Sequence, residues 1–443
     1  MADTLTRPDV IWIGYTTMYR DGGARLAQVA RTMAQDMGRA HPNAEVVCVA
    51  VENKRALVQS MARIAQRGQR IAQLHFVGHS GMYGPMFGTT DLPEQFSPHE
   101  WQTLEIPFAS HGEAFFHACR TARWFAPFFA RTFGVPAHGF HWYTAFSQDA
   151  QRFVFAPPWS HPRQPLYLMG CPGKKSHGWL GTLGKHLRLI DPEPIKRFEP
   201  NQGEVDDTYD SVAHLYDEVF ADIKVREDEW AWVQAHMPEG QGLHMLDIGC
   251  GNGAMLRELS GRLERGVGVD RSGEMIRLAR GHSQAHEALE FAQIDGPHLP
   301  VADQSMDVVT SFLSFRYLDW DPIMAEVVRV LKPGGKFLMV DMVTAPVRGA
   351  QVPMFVGSKL KQWRQHRQRA PFRQALGRLV ADERWAKMLM YNPIRAEHEL
   401  RWFMESRFQG RQVEILNVGW HNRVMAFDTG PIYQDYIPPQ SYP

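Results

Sequence analysis

Cysteine is scarce: the four in 443 residues, Cys48, Cys119, Cys171 and Cys250, are widely spaced and form no CxxC pair. That excludes a disulfide framework and a cysteine zinc site, and reduced thiols are the simplest reading. No run approaches the roughly 20 apolar residues of a membrane span. The opening MADTLTRPDVIWIGY lacks the basic flank and apolar stretch of a secretion signal. A cytoplasmic protein with no membrane contact is therefore expected. Net charge is missing too, because 48 basic residues cancel 48 acidic ones, and this argues against a sequence-independent nucleic-acid binder. The cancellation hides an asymmetry. Residues 1–190 carry +7 and residues 191–443 carry −7, which could dock the halves on each other or on a partner and leaves a homo-oligomer open.

What is present suffices for two cores. The chain is longer than one hydrophobic core usually serves, and 44% hydrophobic residues with 13 Trp and 25 Phe supply the packing material. From the start, apolar strand-like runs alternate with helical patterns: VIWIGY, the segment 23–39, EVVCVAV, the segment 54–67, then AQLHFVGHSG. Further strands are expected at EAFFHAC and YLMGCPG, with the aromatic helix WFAPFFARTF between them, which reads as a parallel α/β sheet over residues 1–190. Residues 191–206, rich in proline and acid, read as a linker. Helices near 209–225 and 227–236 then lead into a second α/β series over 207–443.

In the run LHMLDIGCGNG a buried strand meets Gly249, Gly251 and Gly253, and helical residues follow. Glycine is needed there because the chain must turn sharply and let a ligand approach its backbone closely. Twenty-one residues after Gly249, the next strand ends at Asp270, where a carboxylate can accept from both hydroxyls of a ribose. The order G-C-G-N-G after Asp247 differs from the G-x-G-x-x-G loop that cradles a pyrophosphate, so a sulfonium nucleoside is favoured over a dinucleotide.

Across 207–341 the sequence resembles the class I S-adenosylmethionine-dependent methyltransferases, in particular the ubiquinone and menaquinone branch. TYDSVAHLYD is similar to that branch's opening helix and LDIGCGNG to its cofactor loop. QIDGPHLPVADQSMDVV is similar to its adenine-side segment, and VVRVLKPGGKFLMVD to its fourth-to-fifth-strand unit. The resemblance implies a Rossmann-like domain that binds S-adenosylmethionine. It puts Asp247 and Gly249 near the methionine portion, with Gly251 and Gly253 in the same loop. Asp270 would hold the ribose, Arg271 and Met275 would lie beside the adenine, and Asp295, next to Gly296, would contact its amino group. Ser311 would face the sulfonium, and Tyr216 would close over it.

Methyl transfer asks mainly that a nucleophile be held in line with an already activated methyl carbon. Where the acceptor must lose a proton, His214, Tyr317, Asp341 and His421 are the candidate bases. Residues 343–412 depart from the compact family core as an insertion, read as a helical lid where the acceptor is chosen. Within it KLKQWRQHRQRAPFRQALGR holds seven Lys and Arg and no acid, which fits either a solvated helix face or an anionic acceptor.

In the first half, one strand delivers His79 and a later one delivers Cys119, at the same rim of a parallel sheet, where an imidazole and a thiol can meet as base and nucleophile. GHSG and HACRTA, with the following APFFARTFGVPAHGF, resemble the caspase-like cysteine peptidase clan, including bacterial CHAT domains, over residues 9–143. Backbone amides near Gly81 would then stabilise an oxyanion. Ser80 stands where that clan often has glycine, and no Q-A-C-x-G signature is present; these departures fit a domain that has lost its activity. His75, His79, His117, His138 and His141 with Cys119 lack a distinctive metal-ligand spacing, and no metal is expected.

The reading that results is a two-domain α/β enzyme that uses S-adenosylmethionine to methylate a small molecule, with a fused caspase-like domain that is inactive or shapes the substrate. Three alternatives stay open: a Cys119/His79 peptidase or acyl-transfer enzyme whose second domain senses the cofactor, a cofactor-binding enzyme of a non-methyl-transfer reaction, and a non-catalytic interaction module.

Overall fold

A computed structural model of the chain describes residues 9–81, 83–90, 93–159, 161–173, 179–201, 209–345, 347–391, 394–420, 422–433, 435 and 436. The chain forms two compact units, Met1–Glu204 and Val205–Pro443.

The first unit is built on β1 (Val10–Tyr15), α1 (Gly23–Ala40), β2 (Glu45–Ala50), α2 (Lys54–Gln66) and β3 (Ile71–Val77). It continues with β4 (Phe108–His117), α3 (Phe125–Phe133), β5 (Ala137–Gly139) and β6 (Lys196–Phe198). The sheet order is β6-β5-β4-β3-β1-β2, parallel except for β6, which pairs antiparallel with β5. Near-continuous apolar runs such as VIWIGY form its inner strands because both faces of a parallel sheet are covered. On one face Trp101, Phe116, Phe125 and Phe129 interlock, which is where the aromatic helix spends its side chains.

Two expectations change here. Tyr167–Gly170 does not join the parallel sheet; it pairs antiparallel with Thr144–Ser147 as a two-stranded ribbon. Its half-buried pattern suits a ribbon with one wet face better than a central parallel strand. The stretch 191–206, expected as a linker, contributes β6 to the first sheet.

The second unit opens with a short 3₁₀ turn at Asp210–Val212, then α4 (Ala213–Phe220) and α5 (Glu227–His236). The series β7 (Leu243–Ile248), α6 (Ala254–Leu259), β8 (Leu263–Asp270), α7 (Gly273–His282) and β9 (Leu289–Gln293) follows. After it come β10 (Met306–Phe312), α8 (Trp320–Val330) and β11 (Leu331–Thr344). Four helices, α9 (Val352–Gln368), α10 (Ala370–Ala381), α11 (Glu383–Tyr391) and α12 (Glu397–Arg407), precede the hairpin β12 (Glu414–Val418) and β13 (Asn422–Asp428). The sheet order β9-β8-β7-β10-β11-β13-β12 is parallel through β11 and antiparallel beyond it. Strand order reverses between β7 and β10, and the crevice beyond the carboxyl ends of strands at such a switch point is where open α/β sheets bind ligands.

The inserted helices close onto the opening helix. Leu379 and Met388 bury themselves against Val212 and Val219, and Tyr209, Tyr216, Phe220, Phe372 and Trp385 pack around them. This small aromatic core roofs the carboxyl end of β7, so the insertion is a helical lid.

Candidate functional site

The site grows from the end of β7. Gly249, Gly251 and Gly253 have φ of +73°, +53° and +76°, the left-handed region that favours glycine. At Gly249 a Cβ would also lie 2.2 Å from Cβ of Ser314, so the loop after β10 rests directly on the glycine turn. At Gly251 a Cβ would meet only Tyr216, at 4.0 Å, so this backbone faces open space. The third glycine has a packing reason, since a Cβ there would strike the ring of Phe291 at 2.8 Å.

Asp270, at the end of β8, closes the loop. Its carboxylate accepts from the Gly251 N–H and the Ser272 N–H, both at 2.9 Å. A carboxylate has about four acceptor positions, so two remain for a ribose. Ser272 caps α7 by accepting from the Met275 N–H at 3.1 Å. The opening helix is pinned over the loop at two points. Ser272 Oγ donates to Asp210, and Asn252 Nδ2 donates to Asp217 Oδ1 at 2.7 Å, while His282 Nε2 stands 2.9 Å from the same carboxylate.

These elements enclose a cavity of roughly 740 Å³, counting the space open to solvent at its mouth. Of the residues expected to bind cofactor, Gly249, Gly251, Asp270, Arg271, Met275 and Tyr216 line it. Asp247 is buried behind the loop, where Thr310 Oγ1 donates to it at 2.8 Å. Asp295 and Gly296 are exposed beside the lining residue Ile294. Ser311 is buried near the end of β10, its hydroxyl 2.8 Å from that of Ser314, which lines the wall and donates to the Ile248 carbonyl at 2.6 Å.

Of the expected bases within the described residues, Tyr317 lines the cavity. His214 is exposed on α4, and His421 lies outside the described residues. Asp341 is fully buried and receives the Arg316 N–H at 2.6 Å, the Arg316 guanidinium and the Met342 N–H at 2.6 Å. These contacts anchor Arg316, whose guanidinium lies 4.5 Å from the Tyr317 ring centre. The Tyr317 hydroxyl is 3.1 Å from that of Tyr209, and burial pushes the Tyr209 phenol well above its ordinary range. Tyr209, Ser314 and Leu313 are lining residues that sequence reasoning missed. Leu313 holds φ +60°, a strained backbone for a non-glycine residue, and nothing in its side chain announces it. Ser272 carried a legible signal as a helix cap.

At the first unit's rim, β3 and β4 are neighbours, with Val77 opposite His117, so His79 and Cys119 follow adjacent strand ends. Ser80 Oγ donates to the Cys119 carbonyl, and Arg120 holds φ +64°. The Cys119 thiol accepts the Thr144 N–H at 3.3 Å, while His79 Nε2 lies 3.2 Å from the Asp21 carbonyl. These contacts run to different neighbours and give no support to a preformed pair. His75 and His117 share a hydrogen bond of 3.1 Å, and desolvation lowers His117 to about 4. His138 bonds Glu113 at 3.2 Å, and desolvation lowers His141 to about 4. Among the described residues no group of three or more His, Cys, Asp or Glu is placed to hold a metal ion.

Burial raises the Asp247 carboxyl from 3.8 to about 7, and the nearby Asp270 charge adds to the rise. A carboxyl whose pKa is raised on folding holds its proton more tightly when folded. Its contribution to stability is therefore complete below pH 3.8 and is lost as pH rises through about 7. In thermal unfolding of the ligand-free chain, the second unit of Asp247→Asn is expected to lose less stability than wild type between pH 5 and 8. Identical pH slopes would contradict the assignment.

Residues 246–339 match the family model described as "Methyltransferase domain". The chain is 32% identical over 149 residues to a demethylmenaquinone methyltransferase of Lactococcus lactis, a match covering 32% of this chain and 59% of that one. It is 36% identical over 113 residues to the methyltransferase GfsG of Streptomyces halstedii, covering 24% and 40%. It thus spans about half the length of these curated relatives. A solved S-adenosylmethionine-dependent methyltransferase from Mesorhizobium loti is 28% identical, with a TM-score of 0.25, over 26% of this chain and 53% of that one. The bare backbone at Gly251 and the carboxylate of Asp270, with acceptor positions to spare, suit the nucleoside such a domain takes. The second unit carries a class I S-adenosylmethionine-dependent methyltransferase domain, with S-adenosylmethionine as its cofactor.

Proposed function

We propose that the chain transfers the methyl group of S-adenosylmethionine to a small-molecule acceptor held under the lid of the second unit. One observation carries this reading: the Tyr317–Tyr209 hydroxyl pair stands in the wall of the same cavity as Asp270 and the glycine loop. The bound cofactor supplies an activated methyl carbon. The chain's own work is to grip the nucleoside through Asp270, align an acceptor and exclude water beneath the aromatic roof. A lone pair on the acceptor oxygen or nitrogen forms the new bond to carbon as the carbon–sulfur bond breaks and its electrons pass to sulfur. The acceptor's proton passes through the Tyr317 hydroxyl, which takes it as it gives its own proton to water at the mouth of the cavity. That hydroxyl is held by Tyr209 and by Arg316, which Asp341 neutralises.

The test is methyl transfer from labelled S-adenosylmethionine to a panel of small phenols, enols and amines. Asp270→Ala is expected to abolish labelling. Tyr317→Phe is expected to lower kcat by about 10²-fold, the usual scale for a lost acid–base group, with cofactor binding unchanged. Full activity in both variants, or labelling of no acceptor by the wild type, would contradict the reading.

A second reading, cysteine chemistry on a caspase-like first unit, is favoured by the adjacency of the strand ends that carry His79 and Cys119 and by the left-handed Arg120 beside the thiol. Alkylation of the intact chain with iodoacetamide reads this out. An activated Cys119 is expected to react at least about tenfold faster than the exposed Cys48 near neutral pH, with the advantage removed by His79→Ala. Equal rates would end this reading.

A further inference from the structure

On α9, side chains that a helix of a folded domain turns inward are turned outward. Val352, Val356, Leu360 and Trp363 recur at i, i+4, i+8 and i+11, a single stripe at helical spacing. Each is between 48% and 63% exposed. The helix is held to its own unit by other positions: Ser358 Oγ accepts the Val418 N–H at 3.4 Å, and Lys361 pairs with Asp228. Trp420, between β12 and β13 and 65% exposed, packs its ring centre 4.5 Å from that of Phe355 and widens the apolar surface. Isolated exposed apolar residues need no explanation, whereas a stripe continued by a second tryptophan marks a surface that meets something apolar.

Charge selects the partner. Residues 342–381 hold eight Lys and Arg and no Asp or Glu, although residues 191–443 as a whole carry −7. Lys361, Arg369 and Arg378 pair with acids of the same unit, and Lys359 lies over the Phe355 ring beside the stripe. A helix with an outward apolar stripe, set in a basic segment, is built to lie in the headgroup region of an anionic bilayer, and tryptophan favours that depth. A second copy of the chain would instead set the same basic segment against itself. We propose that α9 and Trp420 dock the chain on an anionic phospholipid surface. The expectation of no membrane contact rested on the absence of a spanning run, and a helix lying on the surface needs none.

Sedimentation of the intact chain with vesicles tests this, using phosphatidylcholine alone and an equal mixture of phosphatidylcholine and phosphatidylglycerol. Binding is expected to the mixture only, to weaken as salt is raised, and to fall at least about tenfold in the double variant Leu360→Ser, Trp363→Ser. That variant must keep its circular dichroism and its S-adenosylmethionine affinity; if it does not, Lys359→Glu with Trp420→Ser, at separate positions of the same surface, takes its place with the same expectation. No binding of the wild type to the mixture would overturn the proposal, as would equal binding to both vesicles. A concentration-dependent dimer that the variant abolishes, with no vesicle binding, would assign the stripe to a second copy instead.

Discussion

The second unit depends on what one carboxylate does at the end of one strand. Asp270 accepts from the Gly251 N–H on the neighbouring strand's loop and from the Ser272 N–H at the start of the following helix. Two backbone turns are fixed against each other before any ligand arrives. Because buried N–H groups without partners are costly, these two would otherwise have to find acceptors elsewhere. The arrangement leaves the carboxylate with acceptor positions directed at the cavity, so the group that organises the loop is the group that can grip a ribose. Its desolvation raises the carboxyl above its ordinary range, and these same two hydrogen bonds offset that rise only in part. The opening helix then attaches to this assembly through Asp210 on Ser272 and Asp217 on Asn252.

The acceptor side is built differently. Here the wall is aromatic and the polar groups are few: two tyrosine hydroxyls, backed by an arginine whose charge is balanced within the core by Asp341. The lid helices supply Phe372, Leu379, Trp385 and Met388 to the cluster that packs around Tyr209 and Tyr216, two residues of the cavity wall. Basic side chains of the lid, Lys361, Arg369 and Arg378, are spent on acids of the same unit, which disfavours their use as an acceptor clamp inside the cavity.

Much of the cofactor side was legible in the sequence because its requirements are local. A glycine turn after a buried strand, and an acid at the end of the next one, follow from close approach and from hydrogen bonding, and both are visible as residue types at a spacing. Residues that reach the cavity through tertiary packing were not legible. Ser314 matters because it rests on Gly249, a contact between segments 65 residues apart. Leu313 matters through a backbone angle that its side chain does not betray. The burial of Asp341 against Arg316 is another such contact, which nothing in the local sequence announces. In the first unit, β6 escaped notice because three residues in a proline-rich stretch carry no periodicity, and the edge of a sheet tolerates such a strand.

The most direct test of the central claim is isothermal titration of the intact chain with S-adenosylmethionine and S-adenosylhomocysteine. A cavity organised by Asp270 predicts micromolar-class binding of both, near −8 kcal/mol. The absence of heat with either ligand, from a chain shown to be folded, would contradict the account.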